Sequence, residues 1–264
     1  MTQGMIAADR AVLVVGGADA EKFLENLVTN RIAGMAEGAC VYTALLSPKG
    51  KYLFDFFVIR RNGEFLIDVK AERAQALAQR LAMYRLRADV TIGSTDLQVV
   101  QGLGEAPEGS VADPRSAALG WRAWVGDGRA FLDGIAGLEP DMWTAHRIAH
   151  GVPETGAELV ADDAYILEMG FERLNGVDFR KGCYVGQEIT ARMKHKTELR
   201  KGLVRVQVEG QAPECGTAIS VGGKEAGVLY STFGGEGLAH LRFDRMENPM
   251  KAGDCVIRVI EKVG

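Results

Sequence analysis

The chain has 264 residues, 47% of them apolar and 25% charged, with a net charge of -4 at pH 7. That make-up belongs to a globular protein with a substantial core and room for more than one domain, and its acidic balance argues against a chain that coats nucleic acid. Cys40, Cys183, Cys215 and Cys255 lie far apart with no Cys-x-x-Cys pair, which argues against a zinc knuckle or a self-contained metal cluster. Reduced thiols make the cytoplasm the default compartment. The apolar run 11–15 is too short for a signal-peptide core or a membrane span, so an unanchored protein with no membrane partner is expected.

In chain order, 11–15 predicts a buried strand broken by Gly16 and Gly17. Phe23, Leu24, Leu27 and Val28 share a helical face in a segment that Gly34 ends. Strands are expected at 41–46 and 52–59, with the turn Ser47-Pro48-Lys49-Gly50 between them. Asn62-Gly63 predicts a two-residue hairpin returning through 65–69. Leu77, Leu81 and Tyr84 place an amphipathic helix over 71–87, followed by short strands at 90–92 and 97–101. Residues 102–120 read as loop, and 121–125 with 130–132 as a further strand pair. A helix from Asp141 to about His150 stops at Gly151. It sets His146 and His150 four residues apart, but with no acidic third ligand in the pattern packed or solvated imidazoles are the expectation over a metal site. Beyond Leu199 the pattern is strands alone, at 202–208, 218–221, 225–231, 238–242 and 254–260, which predicts a small barrel. The expected layout is an α+β body over 1–198, made of two intertwined lobes, and an all-β domain over 199–264.

The densest chemistry lies in Lys181-Gly182-Cys183-Tyr184-Val185-Gly186-Gln187-Glu188. Gly182 and Gly186 allow positive φ or a close approach that a Cβ would forbid. Arg180, Lys181, Arg192, Lys194 and His195 surround the thiol in sequence, and nearby cations favour a thiolate. Cys183 is therefore either a reactive centre or a structural Cys buried in a tight turn. The other three cysteines fall in or near strand patterns and are expected to act as small apolar residues. Between residues 171 and 205 nine Lys or Arg face four acids, which predicts a locally positive rim.

The run from Glu168 through Arg192 resembles the signature of the YgfZ family of folate-binding proteins, which is related to the T-protein (aminomethyltransferase) of the glycine cleavage system. The likeness extends to Phe23-Leu24-Glu25-Asn26-Leu27-Val28-Thr29-Asn30, to Ser47-Pro48-Lys49-Gly50-Lys51, and to two segments of the predicted barrel, 226–229 and 237–241. It implies a T-protein-like architecture of three lobes around a hole that accepts tetrahydrofolate, with the Cys loop facing it. It also implies a role in iron-sulfur cluster assembly, with client enzymes or assembly proteins as partners. The implied motif residues are Cys183 with Lys181, Gly182, Tyr184, Gly186, Gln187, Glu188 and Arg192; the implied folate contacts are Tyr52, Phe54, Asp55, Asn30 and Glu168, with Phe56 beside them.

Departures from the T-protein pattern bear on activity. Phe54 stands where that pattern has its first, catalytic Asp, and only Asp55 of the pair is kept. Val69 replaces an Asn, and the glutamate-bearing loop is missing between Trp124 and Trp143. An apolar ring cannot stabilise protonation of a folate nitrogen. Strand alternation puts Phe54 and Phe56 on one face and Asp55 on the other. The expectation is a tetrahydrofolate-binding factor that assists assembly or repair of iron-sulfur clusters and is not an active aminomethyltransferase. The alternatives are a folate-dependent transferase using Asp55, and a binding protein in which Cys183 is buried.

Overall fold

The computed structural model describes residues 1–196, 198–247 and 249–263. The chain folds as two units, the first built from Met1–Pro48, Leu53–Glu139 and Leu174–Gln187. In order it holds β1 (Gln3–Ile6), β2 (Arg10–Gly16), α1 (Ala20–Glu25), β3 (Cys40–Leu46) and β4 (Tyr52–Arg61), whose first residue belongs to the second unit. There follow β5 (Glu64–Lys70), α2 (Ala71–Arg85), β6 (Thr91–Ser94), β7 (Gln98–Leu103), β8 (Val111–Ala112), β9 (Trp121–Val125), α3 (Gly128–Phe131) and β10 (Ala136–Gly137).

Two five-stranded sheets result, in the orders β3-β4-β5-β2-β6 and β10-β1-β7-β9-β8. The first is organised by the β4–β5 hairpin, where Asn62 and Gly63 take φ of 53° and 79°, as a tight two-residue turn with the strand twist requires. Alternation along β4 divides its side chains. Phe54, Phe56 and Val58 join Phe23, Leu24, Leu77 and Leu81 of α1 and α2 in one apolar core. The opposite face carries Asp55 and Phe57, among charged residues. Trp121, Val100 and Ala123 form a smaller core in the second sheet.

The second unit, Lys49–Tyr52, Pro140–Arg173 and Glu188–Gly264, contains α4 (Pro140–Ala149) and α5 (Gln187–Lys196), whose first residue lies in the first unit. After them come β11 (Lys201–Glu209), β12 (Thr217–Val221), β13 (Lys224–Phe233), β14 (Glu236–Arg242), β15 (Met250–Ala252) and β16 (Cys255–Lys262). They close a barrel in the order β11-β14-β13-β12-β15-β16. Val204, Val206, Ile219, Leu229, Leu241, Met250 and Ile257 fill it. Irregular register at 205/206, 219/220 and 229/232 lets such short strands bend far enough to close.

The expected α+β architecture with a terminal barrel is what forms, with local differences. The helix expected up to Gly34 ends at Glu25, because Val28 pairs with Leu45 and the carbonyls beyond α1 are taken by a side chain distant in sequence. Residues 130–132 are not a strand: Asp127 caps α3, accepting from the N–H groups of Arg129 and Ala130. The short strands β1, β8, β10 and β15 and the helix α5 are additions to what the sequence predicts, β8 forming inside the stretch 102–120 expected as loop. These four strands have two to four residues each, too few for periodicity to show.

Candidate functional site

The central part of the signature, Leu174–Gln187, lies in the first unit, where residues 175–181 run against the chain beyond α1. Asn30 donates through Nδ2 to the carbonyls of Asn175 (2.6 Å) and Tyr42 (2.8 Å). Thr29 Oγ1 donates to the carbonyl of Gly176 at 2.7 Å. Asp178 accepts from the N–H of Arg180 (2.7 Å) and from Arg31 Nε (3.0 Å). Burial pushes the Asp178 carboxyl up, but those hydrogen bonds and the Arg31 charge outweigh it and hold it below its ordinary value.

Lys181 is the anchor. Its ammonium donates to the carbonyls of Glu25, Val28 and Asn30, each at 2.7 Å, with the Glu25 carboxylate at 3.5 Å. Three donors meet three acceptors, so the charged group is satisfied where water is excluded. Desolvation lowers its pKa, opposed by the Glu25 charge, and the balance stays below the ordinary lysine value. Lys181, one of the cations expected to act on the thiol, is instead committed to backbone carbonyls. Glu25 also accepts from the N–H groups of Ile32 (2.6 Å) and Ala33 (2.9 Å), so one Lys–Glu pair holds both the turn after α1 and the signature loop.

Past this anchor, Tyr184 is buried near the Lys181 ammonium, which lies 5.5 Å from its ring centroid, and Val185 packs on the apolar core. Between the buried Lys181 and the buried Tyr184, Cys183 is exposed. Gly186 has φ +83°, so glycine is needed there on backbone grounds. Gly182 is outside the left-handed region, and a Cβ built on it meets nothing within 4 Å. It leaves open space next to the thiol. Gln187 starts α5 and donates weakly to the Gly182 carbonyl at 3.4 Å. Glu188 and Arg192, both well exposed, form an i, i+4 pair at 3.7 Å, which contributes little.

Among the expected folate contacts, Asp55 is buried and accepts a hydrogen bond from the Tyr42 hydroxyl at 2.9 Å. Phe54 and Phe56 lie in the core under α1 and α2, with the Arg73 guanidinium 4.9 Å from the Phe54 ring centroid. They line a different face from Asp55 and offer it no apolar wall. Asn30 has spent its amide on Tyr42 and Asn175. Tyr52 and Glu168 belong to the second unit, where the Tyr52 hydroxyl bonds to Thr155 Oγ1 (2.8 Å) and Glu168 is 3.1 Å from His240 Nε2 and 3.6 Å from Lys201.

Sequence reasoning missed the charged layer on the Asp55 face. Asp68 accepts from Arg10 (2.6 Å), Arg122 (3.0 Å) and the Trp124 indole (3.1 Å), and Arg115 forks onto Asp113 at 3.0 and 2.7 Å. The guanidinium groups of Arg122, Arg115 and Arg10 lie 4.1, 5.0 and 5.6 Å from the Phe57 ring centroid. An Asp inside the apolar run Phe65-Leu66-Ile67-Asp68-Val69 was the available signal. Much of the predicted basic excess is also engaged: Lys194 pairs with Glu172, Arg205 with Glu236 and Glu261, and Arg173 donates to the carbonyls of Gly151 and Val263. Of the cysteines expected to be apolar, Cys255 is buried and donates to the Gln211 carbonyl, and burial pushes the Cys40 thiol well up. Cys215 is exposed, contrary to that expectation.

Residues 10–103 match the family described as the GCVT N-terminal domain, and residues 200–262 match the CAF17 C-terminal beta-barrel domain. The protein is thus of the class that joins a GCVT-like body to a CAF17-type barrel. Its fold is that of the glycine cleavage system aminomethyltransferase T from Bartonella henselae, with a TM-score of 0.81 over 98% of this chain and 85% of that one at 14% identity. Identity that low shows the fold alone. The human mitochondrial iron-sulfur cluster assembly factor IBA57 is 32% identical over 91% of this chain and 78% of its own length, and the mouse protein gives the same figures. A homolog from Mycosarcoma maydis is 33% identical over 74% of this chain and 54% of its own length. The chain belongs to the IBA57 family. These relatives are mitochondrial proteins, which overturns the cytoplasmic expectation. Reduced thiols report a reducing environment and do not name the compartment.

Proposed function

We propose that this protein serves in the assembly or repair of iron-sulfur clusters, acting with assembly proteins or client enzymes, and that Cys183 is the residue that engages the cluster or the partner. One observation carries the reading: within three residues the chain goes from a Lys181 ammonium buried on three carbonyls to an exposed thiol beside a glycine with open space. A thiol is the side chain that ligates iron or exchanges with a partner disulfide, and both require access. In cells that depend on the protein, Cys183→Ala is expected to lower client cluster-enzyme activity severalfold while the variant accumulates normally with unchanged Tm. Full client activity with that variant would remove Cys183 from the mechanism.

The finer reading is a YgfZ-type factor that binds tetrahydrofolate without transferring an aminomethyl group. In its support, Phe54 is committed to an apolar core, and Asp55, hydrogen-bonded to Tyr42, stands on the opposite face beside the charged layer, where a polar pterin edge could be recognised. Phe54 and Phe56 do not fit the expected wall, so the contact set narrows to Asp55, Tyr42 and the nearby Phe57. Folate bound there contributes recognition and no reacting carbon. Reduced folates are expected to raise the Tm, since a ligand that binds only the folded state stabilises it. Turnover with an aminomethylated carrier and tetrahydrofolate, abolished by Asp55→Asn, would instead favour the transferase.

A further inference from the structure

A second surface of the first unit has no part in the Cys183 loop. An open groove of about 360 Å³ runs between α1 and the end of α2, lined by Asp19, Lys22, Phe23, Asn26, Leu27 and residues 84–88. Its floor is apolar, from the edges of Phe23, Leu27 and Tyr84. Of its lining residues Leu86 is 88% exposed, and Met83, just before the lining segment on the last turn of α2, is 69% exposed. Leu86 also sits at φ 45°, ψ -106°, a conformation that a branched side chain adopts only under strain and that glycine adopts freely. Strained backbone of this kind concentrates where a protein binds something. Here it holds a large apolar side chain out in solvent.

The charges around the groove define the occupant. Lys22, Arg85 and Arg87 line it against a single acid, Asp19, with Asp89 adjoining. Asp19 and Asp89 both accept hydrogen bonds from backbone N–H groups across the turn, of Asp89 and Ala18 respectively. Among the described residues none of the three cations is in an ion pair. A small ligand within the groove would leave Leu86 uncovered, whereas a protein segment crossing the rim would bury it. We propose that this groove docks an acidic amphipathic segment of a partner protein, its apolar side chains on Phe23, Leu27 and Leu86 and its carboxylates toward Lys22, Arg85 and Arg87. This is the helix-in-groove mode of recognition with an electrostatic selection for acidic partners.

The test uses the full chain and two fluorescent amphipathic peptides of matched length, one with glutamates on its polar face and one with lysines there. The glutamate peptide is expected to bind, with affinity falling as salt rises from 50 to 500 mM, and the lysine peptide at least tenfold more weakly. Leu86→Gly, which suits the backbone at that position, and the pair Lys22→Glu with Arg87→Glu are each expected to weaken the glutamate peptide tenfold or more. Arg258→Glu, on β16, is the control and should leave it unchanged. Equal binding of the two peptides, no binding of the glutamate peptide, or binding unaffected by either variant would overturn the proposal. So would a wild-type dimer that Leu86→Gly dissociates in sedimentation, because the occupant would then be a second copy of this chain.

Discussion

Cys183 and Lys181 sit two residues apart and have opposite fates, and the difference comes from what each side chain can reach. The thiol has nothing to bury against, while the lysine stem spans to three carbonyls that the turn after α1 leaves unpaired. Lys181→Met keeps the stem but orphans those carbonyls and the Glu25 charge. A loss on the order of 2–4 kcal/mol is expected, read as a lower urea midpoint. Accessibility also separates the four thiols. Alkylation of the native protein should label Cys183 and Cys215 and spare Cys255 and Cys40 until denaturant is added, as peptide mass mapping would show. Labelling of Cys255 at the rate of Cys183 would contradict the barrel packing.

For the loop and helix elements, the two glycines of the signature have different duties. Gly186 needs positive φ at the start of α5, whereas Gly182 has an ordinary backbone and free space. Gly186→Ala is therefore expected to cost about 1 kcal/mol or more, and Gly182→Ala to leave stability within about 0.5 kcal/mol. Thermal unfolding of the two variants side by side distinguishes them. If Gly182→Ala also impairs client cluster activity at unchanged Tm, the space at that position belongs to a partner. The shortening of α1 carries the same lesson: its apolar spacing continues through Val28, but Val28 bridges to Leu45 and Lys181 takes the carbonyls of Glu25 and Val28.

At the scale of the molecule, the buried charged layer sets the response to acid. Burial raises the Asp68 pKa, but Arg10 and Arg122 together outweigh it and leave the carboxyl below its ordinary value of 3.8. Asp113 is held low in the same way, by Arg115 and then Arg122 against burial. A depressed carboxylate contributes stability that is present above the unfolded value and is lost as pH falls through the folded one. The protein is therefore expected to lose stability progressively below about pH 4, the ordinary carboxylate range. Asp68→Asn should be destabilised at neutral pH by roughly 3–5 kcal/mol, because Arg10 and Arg122 stay buried without their partner. It should also show a shallower acid dependence in stability measured from pH 6 to pH 3. An unchanged acid profile in Asp68→Asn would place the sensitivity elsewhere.

The sequence alone determined the regular elements of the first sheet, because the Asn62-Gly63 turn and the alternation of β4 and β5 are local properties, and it determined the barrel through five short strands punctuated by glycine. It also singled out the 181–188 segment by its chemistry. Only the tertiary structure decided which residues of that segment present themselves and which hold it. Lys181 finds Glu25, Val28 and Asn30 more than 150 residues away in sequence, and no periodicity encodes such a contact. The same holds for Phe54, whose place in an apolar core depends on α1 and α2 covering that face, and for Asp68, whose charge is tolerable only because arginines from β2 and β9 converge on it. Local pattern fixes which way a side chain points; what it meets there is set by chain segments that fold back from elsewhere.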